Sequence, residues 1–306
     1  MPNKQTTCVA VFGKHKSSAA PLWKGVAKLL QQHGYSVLVG NNAKQCENTQ
    51  FELADIETIR EKADIAVITG GDGTFLGIAR QLAGYQIPLI GINQGRLGFL
   101  TDIRHDEIDP ILLNTLAGEH FVEKRSYLSG RLIREGRIEA ECLALNDIVI
   151  SRGIVGGMVE LNVEVDGKFM YDLRADGLIV STPTGSTAYS LSADGPILHP
   201  SLAGLVMVPV APHALTNRPI ALPDSSTIVI EVTGGKQTGV HFDMQNNFRA
   251  RVGDTIEIRM AESPIELMHP AKYDYFAMLR QKLHWSASPT ELNHKNRGLR
   301  ESFHAK

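Results

Sequence analysis

Short apolar, β-branched runs separated by stretches of helical spacing fill the first third of the chain, and this alternation predicts a parallel sheet covered by helices. Cys8 to Phe12 reads as the first strand. From Pro21 to His33, Leu22, Val26, Leu29 and Leu30 share one helical face, with Pro21 suited to the first turn and Gly34 to the C-terminal cap. Further strands are expected at Tyr35 to Val39, Asp64 to Thr69 and Pro88 to Ile92, and Phe75, Ile78, Ala79 and Leu82 mark a helix between the last two.

Near His120 the period changes. Leu161 to Val165 alternates apolar and polar residues and ends on the hairpin signal Asp166-Gly167, while Thr227 to Val232 and Thr255 to Met260 alternate in the same way, with a turn at Gly234-Gly235. Antiparallel strands with one wet face are expected there. Tyr273 to Leu283 returns to helical spacing through Phe276, Leu279 and Leu283, as a helix that packs back on the first domain. The expected organisation is thus a Rossmann-like parallel α/β domain over 1–119, a predominantly antiparallel β domain over 120–270, and a returning helix with a polar tail over 271–306. The end of that tail is expected to be poorly ordered.

Size and composition agree with two domains, since 306 residues with 43% hydrophobic content can bury a large core. The near balance of 31 basic and 33 acidic residues leaves no footprint for nucleic acid and no polybasic membrane patch, so neither is expected as a partner. Cys8, Cys46 and Cys142 are odd in number and widely spaced, which fits neither a disulfide framework nor a thiolate metal site and suggests a reducing, cytoplasmic setting. No apolar run approaches membrane-spanning length, and the polar start does not read as a secretory leader. The eleven histidines show no H-E-x-x-H spacing; His199, His213, His241 and His269 read as structural, and hydrolytic catalysis has no support.

Chemistry concentrates at Gly70-Gly71-Asp72-Gly73-Thr74, directly after the apolar run that ends at Thr69. The carboxyl ends of strands in an open α/β sheet are where ligands bind, and glycines there let backbone approach phosphate oxygens. Asp72 is placed to accept a proton from a hydroxyl, to hold a metal ion, or merely to cap the following helix. Gly71, Gly73 and Gly77 give G-x-G-x-x-x-G, one residue too long for the dinucleotide fingerprint, and no G-x-x-x-x-G-K-[ST] loop occurs.

Three more segments stand out. Gly91-Ile92-Asn93-Gln94-Gly95-Arg96-Leu97-Gly98-Phe99-Leu100-Thr101 follows the fourth strand, with Asn93 at a strand end and Arg96 either a ligand contact or a surface residue. Asn146-Asp147 is a polar pair amid Ala144-Leu145 and Ile148-Val149-Ile150, and must find partners in a ligand or a neighbouring loop. Asp176 to Ser190, DGLIVSTPTGSTAYS, offers hydroxyls and backbone donors that suit a pyrophosphate or ribose edge or an ordinary loop, and Tyr189 suits a base stack or a core.

With the GGDG loop, these segments closely resemble the bacterial NAD kinase family, in the family's order and over roughly Cys8 to Trp285. The resemblance implies ATP-dependent phosphorylation of the 2′-hydroxyl of the adenosine ribose of NAD, giving NADP and ADP, with a divalent metal ion, Mg²⁺ by preference, and a homodimer or homotetramer. It implies an α/β domain followed by a β-rich one. Carried over by position, Asp72 matches the proposed catalytic base, and Gly71, Asp72, Gly73 and Asn93 belong to the dinucleotide site. So do Asn146, Asp147, Arg174 and Asp176, the stretch Thr187, Ala188, Tyr189, Ser190, Leu191 and Ser192, and the late Gln245. No metal ligand is assigned. Three positions depart from the pattern: Asp147 stands where many relatives have Glu, Asp194 where Gly is frequent, and Gly157 where some relatives place a ligand-contacting side chain. Related lipid kinases and phosphofructokinases share a GGDG loop, and a kinase for another hydroxyl or a non-catalytic nucleotide sensor are the competing readings.

Overall fold

The computed structural model describes residues 6–13, 20–40, 50–95, 98–153 and 157–285. Arg96, Cys46 and the tail from 286 lie outside the described residues. The first part of the chain runs β1 (Cys8–Gly13), α1 (Ala20–Gln32), β2 (Ser36–Gly40), β3 (Glu52–Ala54), α2 (Ile56–Lys62), β4 (Ile65–Gly70), α3 (Asp72–Gln81), β5 (Leu89–Asn93), β6 (Ile103–Arg104), α4 (Ile108–Leu116) and β7 (His120–Arg125). The second continues through β8 (Leu128–Arg134), β9 (Arg137–Ala144), β10 (Asp147–Arg152), β11 (Val159–Val165), β12 (Lys168–Ala175), β13 (Gly177–Ser181), the short α5 (Tyr189–Ser192), β14 (Gly204–Val210), β15 (Ile220–Pro223), β16 (Ile228–Gly234), β17 (Thr238–Phe242), β18 (Asn246–Ala250) and β19 (Thr255–Met260). Strand β20 (Ile265–Pro270) and α6 (Tyr275–Leu283) follow.

Val9, Ala10 and Val11 of β1 are fully buried, as a parallel strand covered on both faces requires. Trp23, Val26 and Leu30 of α1 pack with Val9, Val11, Val37 and Val39 on one face. On the other, Phe75, Ile78, Ala79 and Leu82 join Ala10, Leu38, Ala66 and Ile68. The strand order is β3-β2-β1-β4-β5-β20-β7, with β6 also on β5. The second part forms two six-stranded antiparallel sheets, β15-β14-β13-β10-β17-β18 and β12-β11-β16-β19-β8-β9. They share one core, in which Leu128, Leu161 and Ile230 meet Ile148, Val180 and Phe242. The alternation read from Leu161 to Val165 is present: Leu161 and Val163 are buried while Asn162 and Glu164 keep access to solvent. Asp166 and Gly167 turn the hairpin at φ 53° and 70°.

The crossings between the two parts do not fall at residues 119 and 271. Strands β7 and β20 belong to the first sheet, where β20 pairs antiparallel with β7 from Ile265–Arg125 to Pro270–His120 and parallel with β5 at Leu267–Leu89. Neither segment shows a regular alternation, and distant neighbours decide which sheet they join. Helix α6 touches both halves: Tyr275 and Phe276 approach the His199 ring at 5.0 and 5.8 Å, and the Lys282 amine lies 5.6 Å over the Phe99 ring.

Candidate active site

Strand β4 runs out at Gly70, Gly71 is the N-cap of α3, and Asp72 occupies its first turn. The bland reading of Asp72 as a cap fails, because the helix start has no side-chain cap. Its carboxylate reaches instead to the loop after β5, accepting hydrogen bonds from Phe99 N at 2.9 Å, Leu100 N at 3.1 Å and Thr101 Oγ1 at 3.4 Å. A carboxylate has about four lone-pair sites, so acceptor capacity remains. Gly98 allows this approach, since a Cβ there would run into Asp72 Oδ1. Asn93, buried at the end of β5, accepts from Gly95 N at 2.6 Å and donates to Thr101 Oγ1 at 2.9 Å, so its amide organises the loop that grips Asp72.

The adjacent ends of β10, β13 and β17 gather the other motifs. Asp147 pairs with Ser181 of β13, Ile148 with Phe242 of β17. Just beyond, Asp243 turns back in the left-handed region at φ 50°. Its carboxylate accepts from Leu145 N at 3.0 Å, Asn146 N at 2.8 Å and Asp147 N at 3.3 Å. The side chain is fully buried and pairs with Arg80 Nη1 of α3 at 3.1 Å. Gln245 completes the junction, accepting from Arg80 Nη2 at 2.8 Å and donating from Nε2 to the Gly73 carbonyl at 2.7 Å. Gly73, Asn146, Asp147 and Gln245, far apart in sequence, are thereby brought together.

The Asp147 carboxyl is different in kind. The residue is 2% exposed. Among the described residues no donor reaches its carboxyl oxygens, and burial together with the Asp243 charge pushes the carboxyl up to about 7. Burial raises Asp243 too, against the opposing hydrogen bonds of the 145–147 backbone and the Arg80 charge. A carboxyl held without donors at a strand end has the capacity to accept hydrogen bonds from hydroxyl groups.

In the segment after β13, Thr182 donates to Leu145 O at 2.6 Å, Ser186 to Pro183 O at 2.6 Å and Thr187 to Thr184 O at 3.1 Å. Thr182 braces the loop against the Leu145-Asn146 segment while Ser186 and Thr187 stiffen the loop itself, and a Cβ at Gly185 would collide with the Asn146 carbonyl. The Ser190 hydroxyl is buried without a partner. Tyr189 is not a core residue: it is 37% exposed and, with Ser192, Asp194, Leu215 and Arg218, lines an open groove of ≈ 650 Å³. Ala188 and Leu191 flank it at the start and within α5. Arg174 and Asp176 do not join the junction; Arg174 pairs with Glu160 at 3.6 Å and Asp176 with Arg152 at 2.6 Å, both partly exposed.

Sequence reasoning missed Arg80, Tyr127 and Asp243. Tyr127 Oη donates to Ala79 O of α3 at 2.7 Å from a fully buried ring, so it too links the halves. Arg80 has only the look of a helix-surface cation, whereas Asp243, between apolar Phe242 and Met244, carried a signal: a buried carboxylate needs a counter-charge.

Residues 9–120 match the ATP-NAD kinase N-terminal domain and residues 145–269 its C-terminal domain. The chain belongs to the NAD kinase family. An NAD kinase of Ralstonia nicotianae is 47% identical over 288 residues, 93% of this chain and 95% of that one. One from Burkholderia pseudomallei is 47% identical over 285 residues, 92% and 95% of the two chains. Among solved structures, yeast NADH kinase complexed with NADH superposes with a TM-score of 0.83 at 26% identity, covering 92% of this chain and 89% of that one. An NAD kinase from Archaeoglobus fulgidus in complex with ATP gives 0.73 at 25% identity, covering 91% and 99%. The chain is an enzyme of this NAD kinase family, with the family's α/β and antiparallel domains. No helix among the described residues is long and apolar enough to cross a membrane.

Proposed function

We propose that the chain transfers the γ-phosphoryl group of ATP to the 2′-hydroxyl of the adenosine ribose of NAD, giving NADP and ADP, with Asp72 as general base. The hydroxyl oxygen bonds to phosphorus as the bridge to the β-phosphate breaks, and the hydroxyl proton passes to Asp72. A positioned base contributes about 10²- to 10⁴-fold. Alignment and neutralisation of phosphate charge supply most of the rest.

The observation that supports this best is the Gln245 to Gly73 hydrogen bond, which draws the GGDG loop, the Asn146-Asp147 pair and the late glutamine to one junction. Asp147 accepts ribose hydroxyls there, with Asn146 beside it. The Thr187 to Ser192 stretch encloses the dinucleotide, and Tyr189 offers a face to a ring. Gly71 leaves open space where a Cβ would project, room that phosphate oxygens fill. Arg174 and Asp176, at the end of β12 and paired with Glu160 and Arg152, lie outside this junction.

Among the described residues no group of three or more His, Cys, Asp or Glu side chains is placed to hold a metal ion. Mg²⁺ in such a reaction would be bound chiefly through substrate phosphates, waters and one or two carboxylates. The ion would neutralise charge on the triphosphate. A cytoplasmic setting is supported by the free thiols of Cys8 and Cys142. A homodimer or homotetramer is supported by apolar Ile138 and Phe169, exposed on the outer strands β9 and β12.

The test is NADP formation by purified protein from NAD, ATP and Mg²⁺, read with an NADP-specific dehydrogenase. Absence of NADP from the wild-type chain, or equal yield from Asp72→Asn, would overturn this reading.

A further inference from the structure

His269 on β20 is 1% exposed, and both of its ring nitrogens face carboxylates: Nδ1 lies 2.8 Å from Asp102 Oδ2 and Nε2 lies 3.1 Å from Glu123 Oε2. A neutral imidazole has one N–H, so it would turn a lone pair toward one of these acceptors; the imidazolium satisfies both. Glu123 Oε2 also accepts from Arg125 Nε at 2.7 Å, and Arg125 Nη1 donates to Thr184 Oγ1 at 3.1 Å. Two acids and two cations, all largely buried, thus balance in charge. The ring is stacked on Tyr273 at 4.2 Å, with Phe121 at 5.2 Å.

The two ends of this chain of contacts matter. Asp102 follows Thr101, which together with Phe99 and Leu100 holds Asp72. Thr184 belongs to the loop after β13 that packs on the Asn146 carbonyl. The relay therefore runs from the grip on Asp72 in the first sheet to the proposed ribose wall in the second part. Burial alone would pull the His269 imidazole down, but the hydrogen bonds to Asp102 and Glu123 outweigh it and leave it above its ordinary value.

Building on the phosphoryl-transfer reading above, we propose that His269 is a positioning residue of that reaction: as an imidazolium clamped between Asp102 and Glu123, it fixes the Asp72 loop relative to Thr184. It touches neither substrate. Loss of its positive charge leaves Asp102 and Glu123 facing a neutral group and frees the 98–102 loop, so the base is misplaced while the binding surfaces persist.

The test compares full-length wild type, His269→Gln and the double variant Asp102→Asn/His269→Gln. In His269→Gln, kcat falls at least tenfold at pH 7.5 while KM for NAD and ATP moves less than threefold, and amide exchange of a peptide covering 98–101 quickens. The double variant removes the carboxylate left without a cation and regains most of the lost kcat. The alkaline limb of the wild-type kcat profile, above pH 6.5, is absent from His269→Gln. Ring ¹⁵N shifts of wild-type His269 at pH 7.5 show the imidazolium, a readout that needs no variant to fold. A neutral tautomer there, unchanged kcat per folded molecule, or a loss that the double variant leaves unrepaired would overturn the proposal. A wild-type chain that makes no NADP fails at the reaction itself, whereas active wild type with equally active His269→Gln fails only here.

Discussion

Asp147→Asn should stabilise the free protein at alkaline pH while impairing its use of NAD. The native carboxyl sits at about 7 against an ordinary 3.8, because it is buried beside Asp243. It therefore keeps its proton over a range in which the unfolded chain has lost it, and wild-type stability falls as pH rises from about 4 to about 7. Integrating that difference gives a native-state cost of about 4 kcal/mol at pH 8 and less than about 1 kcal/mol at pH 4. Asparagine is nearly isosteric and does not titrate, so the cost disappears. Urea denaturation of both proteins without NAD, across pH 4 to 8, reads the effect as a midpoint difference that widens with pH. In activity assays the variant needs roughly ten- to a hundredfold more NAD, the worth of charge-assisted hydrogen bonds to a ribose. A variant no more stable than wild type at pH 8, or a difference independent of pH, would show that the carboxyl is already satisfied in the free protein and refute the reasoning.

Asp72→Asn should lower kcat by about 10²- to 10⁴-fold while calorimetry still detects NAD binding. Arg80→Met leaves buried Asp243 without its cation and should cost about 3–5 kcal/mol in denaturant unfolding. Tyr127→Phe removes the hydrogen bond to the Ala79 carbonyl and should cost about 1–2 kcal/mol by the same measurement. Gly71→Ala, whose Cβ meets open space, should change stability by no more than about 1 kcal/mol yet raise the KM for ATP. His269, with its raised value, contributes stability below pH 6.5 that is lost as pH climbs through that value. Glu123 is held below its ordinary range because the His269 and Arg125 contacts outweigh its burial, and its share is lost as pH falls. The advantage of wild type over His269→Gln in urea should thus be larger at pH 6 than at pH 9.

What the sequence made legible was whatever is periodic or crowded with special residues. Val9 to Val11, Val37 to Val39 and Ala66 to Ile68 announce buried parallel strands because every position is apolar, and α1 declares its face through Leu22, Val26, Leu29 and Leu30. Strand β3 and the one-sided α2 were too short to show a period. Strand β7, with Phe121 and Val122 exposed, looks like any half-wet strand, and its place beside β20 depends on contacts more than a hundred residues away. In the site, Asp72 and Asn146-Asp147 were visible as polar residues in improbable company, while Gln245 came only through the family resemblance. Arg80 was not, because a helix-surface arginine is ordinary until folding makes it the neighbour of Asp243, whose place between Phe242 and Met244 was the one available signal. The roles of Asn93 and Thr182 also escaped prediction, since donors that brace a loop and donors that meet a ligand have the same composition.

Two stretches of chain join the halves, one after Arg125 and one before Ile265, and they run side by side: Ala261 N donates to Tyr127 O at 2.8 Å. A single tether would let the second part swivel like a ball on a string. This paired ribbon is anchored by Tyr127, whose hydroxyl ties it to the Ala79 carbonyl near the far end of α3. A protease that nicks one of the two crossings would leave both fragments joined by the other, through β20 and its ladder.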